Sequence, residues 1–264
     1  MSHWYVIEDG VAKRYEQLTK KGEPSKRINR KRALADGAVE GVTSLLKRFE
    51  DQSGLVGWAG KLGVEAAVDA VLAIEQPCPS DLVEAKNLLM ATATELYDLR
   101  RNEASEAGSA IHDAIDKYLS LGLESQTPEA WEAARAVSAW IEEQGITERR
   151  AEHCVVYRDG SVAFGGTPDL LSRKLVADWK TLEEKRGKFR DPLAKEAAQL
   201  AAYRAAAAQM GLCDADAECY NLYIERSTGK LVRVHKWSPQ QVVMGWSMIE
   251  LSIAAEKLVS AIEA

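Results

Sequence analysis

The stretches Gly165-Gly166-Thr167-Pro168-Asp169-Leu170-Leu171 and Leu175-Val176-Ala177-Asp178-Trp179-Lys180-Thr181 decide the fold of this chain of 264 residues. Strands are predicted over Leu170–Arg173 and Leu175–Thr181. Side chains alternate along a strand, so Asp178 and Lys180 are expected on one face and Trp179 on the other. A polar pair that interrupts an apolar run costs free energy unless it has a role.

The polar residues of these two stretches are the parts of a hydrolytic site. Two carboxylates that meet at the ends of strands, here Asp169 and Asp178, bind a hard divalent cation through oxygen. A lysine beside them, here Lys180, can orient a water or help to deprotonate it, and can stabilise charge on a phosphate. The alternative interpretation is an exposed ion pair between Asp178 and Lys180, since isolated D-x-K triplets are common and surface pairs contribute little.

Periodicity and turn residues predict the elements around these stretches, and their order indicates an α/β fold. A hairpin is expected over 3–15 and an exposed loop over 19–37. Helices are expected within 38–100, from 105 or 108 to 121, and over 128–144. A hairpin over 152–164 follows, then an alanine-rich helix over 193–210, strands over 218–225 and 231–236, and a last helix from Ser238-Pro239.

The composition is that of a globular protein with a core, at 46% apolar and 28% charged residues. No apolar run of membrane-spanning length and no apolar export segment occurs, so a cytoplasmic location is expected, in a bacterium or a phage-infected cell. The net charge of −6 does not point to nucleic acid. Two local basic stretches do, although solvated loops are the alternative for both. The candidate DNA-binding residues are Lys26, Arg27, Arg30, Lys31, Arg32, Lys185, Arg186, Lys188 and Arg190, with Lys20 and Lys21 beside the first stretch.

Four short motifs occur in a fixed order along the chain. They read G-x-x-x-H from Gly108 to His112, G-x-x-D from Gly166 to Asp169, D-x-K over Asp178–Lys180, and Q-x-x-x-Y from Gln199 to Tyr203. His112 lies at the border of an apolar helical stripe, where a structural histidine is the alternative. Residues four apart share one helix face, which places Gln199 beside Tyr203.

The ordered set resembles the RecB-like branch of the PD-(D/E)XK nucleases, which includes phage exonucleases and the mitochondrial genome maintenance exonuclease. The resemblance covers roughly residues 40–236. It implies a restriction-endonuclease-like αβββαβ core, with a mixed central sheet flanked by helices, in residues 101–264. Residues 1–100 would form an N-terminal hairpin, a basic loop and a helical region that covers the cleft.

The same resemblance implies a metal site. His112, Asp169 and Asp178 would be the ligands of Mg²⁺ or Mn²⁺, together with the backbone carbonyl of Trp179. A histidine ligand suits Mn²⁺ at least as well as Mg²⁺. Several relatives hold an iron–sulfur cluster on four cysteines. Only Cys213 and Cys219 lie near the corresponding region here and a third is missing, so no cluster is expected, and these residues are predicted to be free thiols along with Cys78 and Cys154.

The remaining roles also follow from the resemblance. Lys180 would position the attacking water, and Gln199 and Tyr203 would contact DNA or support the site. Glu152 would support the ligands without binding the ion, and an exposed strand end is the alternative for this residue. The expected activity is a DNA exonuclease in recombination, repair or phage DNA replication, acting on single strands or free ends, with a single-strand-binding or recombination protein as a candidate partner. A structure- or sequence-specific endonuclease and an inactive DNA-binding module are the alternatives.

Overall fold

The computed structural model describes residues 3–49, apart from positions 20, 22 and 26, and residues 106–262. Contacts divide the chain into two units, Met1–Phe49 with Ile111–Ala264, and Glu50–Ala110. The described part of the second unit, residues 106–110, is helical. Lys20, Lys26, Cys78 and the helices expected between 50 and 100 lie outside the described residues.

Strands and helices alternate along the described ranges. The strands are β1 (Trp4–Glu8), β2 (Val11–Arg14), β3 (Val39–Glu40), β4 (Arg150–Ala151), β5 (Val155–Asp159), β6 (Val162–Gly166), β7 (Leu170–Leu171), β8 (Leu175–Leu182), β9 (Glu218–Glu225) and β10 (Leu231–Lys236). The helices are α1 (Arg30–Ala35), α2 (Val42–Leu45), α3 (106–121), α4 (Pro128–Glu143), α5 (Ala194–Gln209) and α6 (Pro239–Ile262), with a 3₁₀ turn over Leu46–Phe49. No helix in these ranges has the length and apolar character needed to cross a bilayer.

A five-stranded mixed sheet, in the order β10-β9-β8-β7-β4, is the centre of the described fold. Strands β8 and β9 are parallel, with Asp178 opposite Asn221, and the other neighbouring pairs are antiparallel. Parallel neighbours need a long crossover connection, and α5 lies in it. The predicted α/β fold with a mixed sheet flanked by helices is confirmed.

The two faces of β8 contact different helices. Leu175, Ala177 and Trp179 are buried in one apolar cluster with residues of α3 and α4. Val176 is buried in a second cluster with the alanines of α5 and with apolar residues of α6. The expected alternation is therefore present, and it turns Asp178 and Lys180 toward α5.

Small residues allow α5 to pack closely between the sheet and α6. The helix buries alanines along most of its length. Gly245 of α6 lies so close that an added Cβ would be 2.8 Å from the backbone nitrogen of Ala198. This contact requires a residue without a side chain on α6, because a larger one would push the two helices apart.

An N-terminal sheet, in the order β2-β1-β3, packs beside the two-stranded sheet formed by β5 and β6. A Cβ added to Gly165 of β6 would lie 2.4 Å from the Cβ of Tyr5 on β1. The Tyr5 hydroxyl and Thr167 Oγ1 are 3.2 Å apart. The N-terminal hairpin therefore lies directly against the segment that carries Asp169.

Part of the expected loop over 19–37 is helical, which corrects that prediction. Asn29 caps α1, because its side chain accepts a hydrogen bond from Arg32 N at 3.1 Å. Ala33 is fully buried in a small cluster with Trp4 and Ala38. One buried alanine among exposed charges leaves no periodicity strong enough to predict a helix.

Two strand boundaries also differ from the prediction. Strand β7 ends at Leu171 and not at Arg173, because Ser172 N donates to Leu175 O at 2.9 Å and closes a turn. The expected strand from Glu152 begins only at Val155. Glu152 has a left-handed φ of 46°, which is incompatible with a strand and separates β4 from β5.

Candidate active site

Four of the expected site residues form a connected chain between β8 and α5, called here the lysine chain: Asp178, Lys180, Gln199 and Tyr203. Lys180 Nζ forms an ion pair with Asp178 Oδ2 and donates to Gln199 Oε1 at 2.9 Å. Gln199 Nε2 donates to the Tyr203 hydroxyl at 2.7 Å. The structure thus brings the D-x-K and Q-x-x-x-Y motifs into direct contact.

Asp178 is a buried acid with unused capacity to accept hydrogen bonds. Its side chain is 6% exposed. Oδ2 is paired with the Lys180 ammonium group, and a carboxylate can accept further hydrogen bonds through its other oxygen. The pKa of Asp178 is raised to about 6, mainly by burial, with Lys180 opposing the rise and the nearby Asp169 adding to it. An additional positive charge at this point would stabilise the ionised form.

Lys180 keeps its charge although it is largely enclosed. Burial acts to lower the pKa of its ammonium group, but the Asp178 carboxylate and then Asp169 outweigh burial, so the pKa is raised. A protonated lysine has three donors and no acceptor. In this form it can orient water or stabilise negatively charged oxygen atoms in the site.

Beside the lysine chain lies a second group, called here the histidine–carboxylate cluster: His112, Glu152 and Asp169. One ligand atom from each residue lies within 4.8 Å of the other two. His112 Nδ1 is 3.3 Å from Asp169 Oδ1, and Asp169 Oδ2 accepts from Trp179 N at 2.5 Å. The imidazole comes from α3, Glu152 follows β4, and Asp169 precedes β7, so three separate segments build this cluster.

The charges in the histidine–carboxylate cluster depend on one another. Burial alone would raise the pKa of Asp169, but His112, the Trp179 N–H and Lys180 together lower it. Burial alone would lower the pKa of His112, but Asp169 and Asp178 raise it. Burial and then Asp169 raise the pKa of Glu152 to about 7. Such pKa shifts are typical of carboxylates that lie close together, where a positive charge between them would be stabilised.

A divalent cation fits this arrangement. Two ligands of one Mg²⁺, each at 2.0–2.1 Å, lie at most about 4.2 Å apart, and the 3.3 Å between His112 Nδ1 and Asp169 Oδ1 is within that limit. The carboxylates of Asp178, Asp169 and Glu152 supply the negative charge that such an ion neutralises. His112 and Glu152 have side chains that are 29% and 36% exposed, which leaves access from solvent.

The structure distributes the expected metal ligands unevenly. His112 and Asp169 are in the cluster, whereas Asp178 is in the lysine chain and is not one of the three grouped residues. The Trp179 side chain is buried on the opposite face, and Asn221 Nδ2 donates to the carbonyl of Asp178 at 3.1 Å. Glu152, expected as a supporting acid, has a carboxylate oxygen within 4.8 Å of the ligand atoms of His112 and Asp169.

Sequence reasoning missed a buried network around Glu196 on α5. Glu196 accepts from Tyr223 at 2.7 Å, from Leu193 N at 2.9 Å and from Arg190 at 2.5 Å. These contacts outweigh burial and lower the pKa of Glu196. The only sequence signal was an acid three residues after the start of a helix, which is common and has no specific meaning for function.

The candidate DNA-binding residues fall into two groups. Three already have acidic partners: Arg30 pairs with Glu256 and Glu40, Arg32 with Asp36, and Arg190 with Glu196. The other described candidates are exposed. They are Arg27, Lys31, Lys185, Arg186 and Lys188.

Comparison with solved structures finds ten similar chains. A crystal structure of a presumed exonuclease from Eubacterium rectale aligns with 60% of this chain and 69% of its own, at 12% identity and a TM-score of 0.42. No family model and no curated protein sequence matches the chain. The chemistry of the site itself is therefore the basis for its function.

Proposed function

We propose that this chain is a divalent-metal-dependent deoxyribonuclease that hydrolyses phosphodiester bonds. The observation that carries the proposal is the position of Lys180, whose ammonium group bridges Asp178 and Gln199 beside the histidine–carboxylate cluster. A cation position next to a fixed ammonium group places two positive charges where a phosphate and its attacking water would lie. That arrangement stabilises the charge that develops during phosphodiester hydrolysis.

The residues of the site have separable roles in this proposal. His112, Asp169 and Asp178 would hold Mg²⁺ or Mn²⁺. The bound ion would polarise the scissile phosphate and lower the pKa of water. Lys180 donates hydrogen bonds to the attacking water or to a phosphate oxygen. Asp178 keeps Lys180 charged, and Gln199 with Tyr203 fixes its direction.

We further propose that the activity is exonucleolytic, on DNA single strands or free ends, in recombination, repair or phage DNA replication. Support for this finer assignment is the order of the four motifs, which resembles the RecB-like nucleases. The same resemblance makes a single-strand-binding or recombination protein the candidate partner.

The test incubates end-labelled linear single- and double-stranded DNA, and circular single-stranded DNA, with the protein in Mg²⁺, Mn²⁺ or EDTA. We expect cleavage of linear DNA with either ion and none in EDTA. Asp169→Asn should abolish it, whereas Asp216→Asn, an exposed acid in a turn, should cleave as the unmodified protein does.

The outcomes separate the alternatives. Cutting of the circular substrate would assign an endonuclease. Metal-independent DNA binding without cleavage of any substrate would assign a binding module and overturn the nuclease proposal.

A further inference from the structure

We propose that Glu152 is a direct ligand of the cation and that Arg14, on the N-terminal hairpin, positions it. This inference rests on the proposed function and deepens it. It adds the carboxylate of Glu152 to the metal ligands and assigns Arg14 a role in holding that carboxylate in place.

The first support is the geometry of the histidine–carboxylate cluster. The ligand atoms of His112, Glu152 and Asp169 lie within 4.8 Å of one another. An imidazole and two carboxylates supply the nitrogen and oxygen donors that Mn²⁺ accepts, and two negative charges match a divalent ion. The oxygen of Asp178 nearest Lys180 is occupied by the ammonium group, whereas the ion pair of Glu152 with Arg14 involves Oε2 alone.

The second support is the backbone of Glu152, which has a φ of 46°. Left-handed conformations are unfavourable for side chains other than Gly, Asn and Asp, and such strain is concentrated at functional sites. Glu152 N donates to Asp169 O at 3.3 Å, so the unusual bend holds the two residues side by side.

The third support is Arg14 at the end of β2. Its guanidinium is 3.4 Å from Glu152 Oε2, across a sequence separation of 138 residues. The contact limits the rotamers of Glu152. It leaves the second carboxylate oxygen of Glu152 outside this ion pair.

Binding of Mn²⁺ to the full-length protein, followed through the electron paramagnetic resonance signal of the free ion, tests the role of Glu152. We expect Glu152→Gln to weaken Mn²⁺ binding at least about 10-fold. Glu8→Gln is the matched control, because Glu8 is an exposed acid paired with Lys13 on the N-terminal hairpin. Wild-type affinity in Glu152→Gln would overturn the inference.

Mn²⁺ binding by Asp169→Asn distinguishes an error in the role of Glu152 from an error in the proposed metal-dependent function. If the unmodified protein and Asp169→Asn both fail to bind Mn²⁺, the metal-dependent function itself is wrong. If Asp169→Asn loses Mn²⁺ and Glu152→Gln does not, only the role of Glu152 is wrong.

A glycine variant distinguishes a ligand from a structural residue. Glu152→Gly relieves the left-handed backbone, so its metal-free thermal midpoint should equal or exceed that of the unmodified protein. Its Mn²⁺ affinity should nevertheless fall as in Glu152→Gln. A lower midpoint together with unchanged affinity would assign Glu152 to the fold and not to the metal.

Arg14 is tested through its dependence on Glu152. Arg14→Ala should weaken Mn²⁺ binding, and Arg14→Lys should restore part of the loss. In the Glu152→Gln background Arg14→Ala should have no further effect, because the two residues act as one unit. Lys13→Ala on the same strand is the control, and additive losses in the double variant would exclude a positioning role for Arg14.

Discussion

Lys180 is largely buried but stays protonated, mainly because the Asp178 carboxylate is beside its ammonium group. Its side chain is 23% exposed, and its ammonium group contacts Asp178 and Gln199. Removing one partner of an enclosed ion pair leaves the other charge uncompensated, which is costly. The pair therefore affects both the chemistry and the local stability of β8.

We expect Lys180→Ala to reduce DNA cleavage by at least about 100-fold while DNA binding changes little. The reason is that Lys180 stabilises charge that develops at the reacting phosphate, whereas many other groups contribute to binding the DNA backbone. Single-turnover cleavage and a binding titration in Ca²⁺ measure the two effects. Lys180→Met keeps a side chain of similar length without the charge, so it controls for a loss of cleavage caused by misfolding.

Lys174→Ala is the control for this substitution, since Lys174 is exposed in the turn before β8. Near-normal turnover by both Lys180 variants would remove Lys180 from the mechanism.

At the scale of elements, the end of β6 packs closely against helix α5 because Gly166 has no side chain. A Cβ added to Gly166 would lie 2.2 Å from Tyr203 Cε1. Tyr203 in turn supports Gln199, which binds Lys180. The approach of a strand end to a helix thus controls the direction of the lysine chain.

We expect Gly166→Ala to destabilise the protein by about 1–3 kcal/mol, because the added methyl group overpacks a closed contact. Cleavage should fall as well, since Tyr203 must move and Gln199 moves with it. Urea unfolding and cleavage assays measure the two effects.

The double variant with Tyr203→Ala is the specific check. Removing the ring makes room for the methyl group, so Gly166→Ala should cost little in that background. An equal cost in both backgrounds would show that the clash with Tyr203 is not the cause.

For the whole molecule, a buried thiol in the central sheet connects stability to pH. Cys219 on β9 is almost completely buried and its thiol faces the carbonyl of Leu200. Burial raises the pKa of Cys219 from 9.0 to about 12. The unfolded chain therefore releases this proton at a lower pH than the folded protein does.

The free energy of unfolding therefore falls as pH rises above the pKa of the unfolded chain. The contribution of Cys219 is complete below pH 9 and is lost as pH rises toward 12. Between pH 8 and pH 10 the free energy of unfolding of the native protein should fall by about 1.4 kcal/mol more than that of Cys219→Ala. Urea titrations under reducing conditions at both pH values measure this, and parallel losses in the two proteins would contradict it.

Much of the fold and part of the candidate site could be predicted from local sequence patterns. The period-two alternation over Leu175–Thr181 determined that Asp178 and Lys180 share a face, and the spacing of four placed Gln199 beside Tyr203. Strands β9 and β10 were predicted to the residue, because turn residues and β-branched side chains are local signals.

Only the tertiary structure decided which distant residues meet. It brought Glu152 to Asp169 through the neighbouring strands β4 and β7, and Arg14 to Glu152 from the N-terminal hairpin. It also paired Arg30 with Glu256, from opposite ends of the chain. Such contacts depend on strand order and on the packing of separate layers, whereas the periodicity of a segment reports only which of its own side chains face inward.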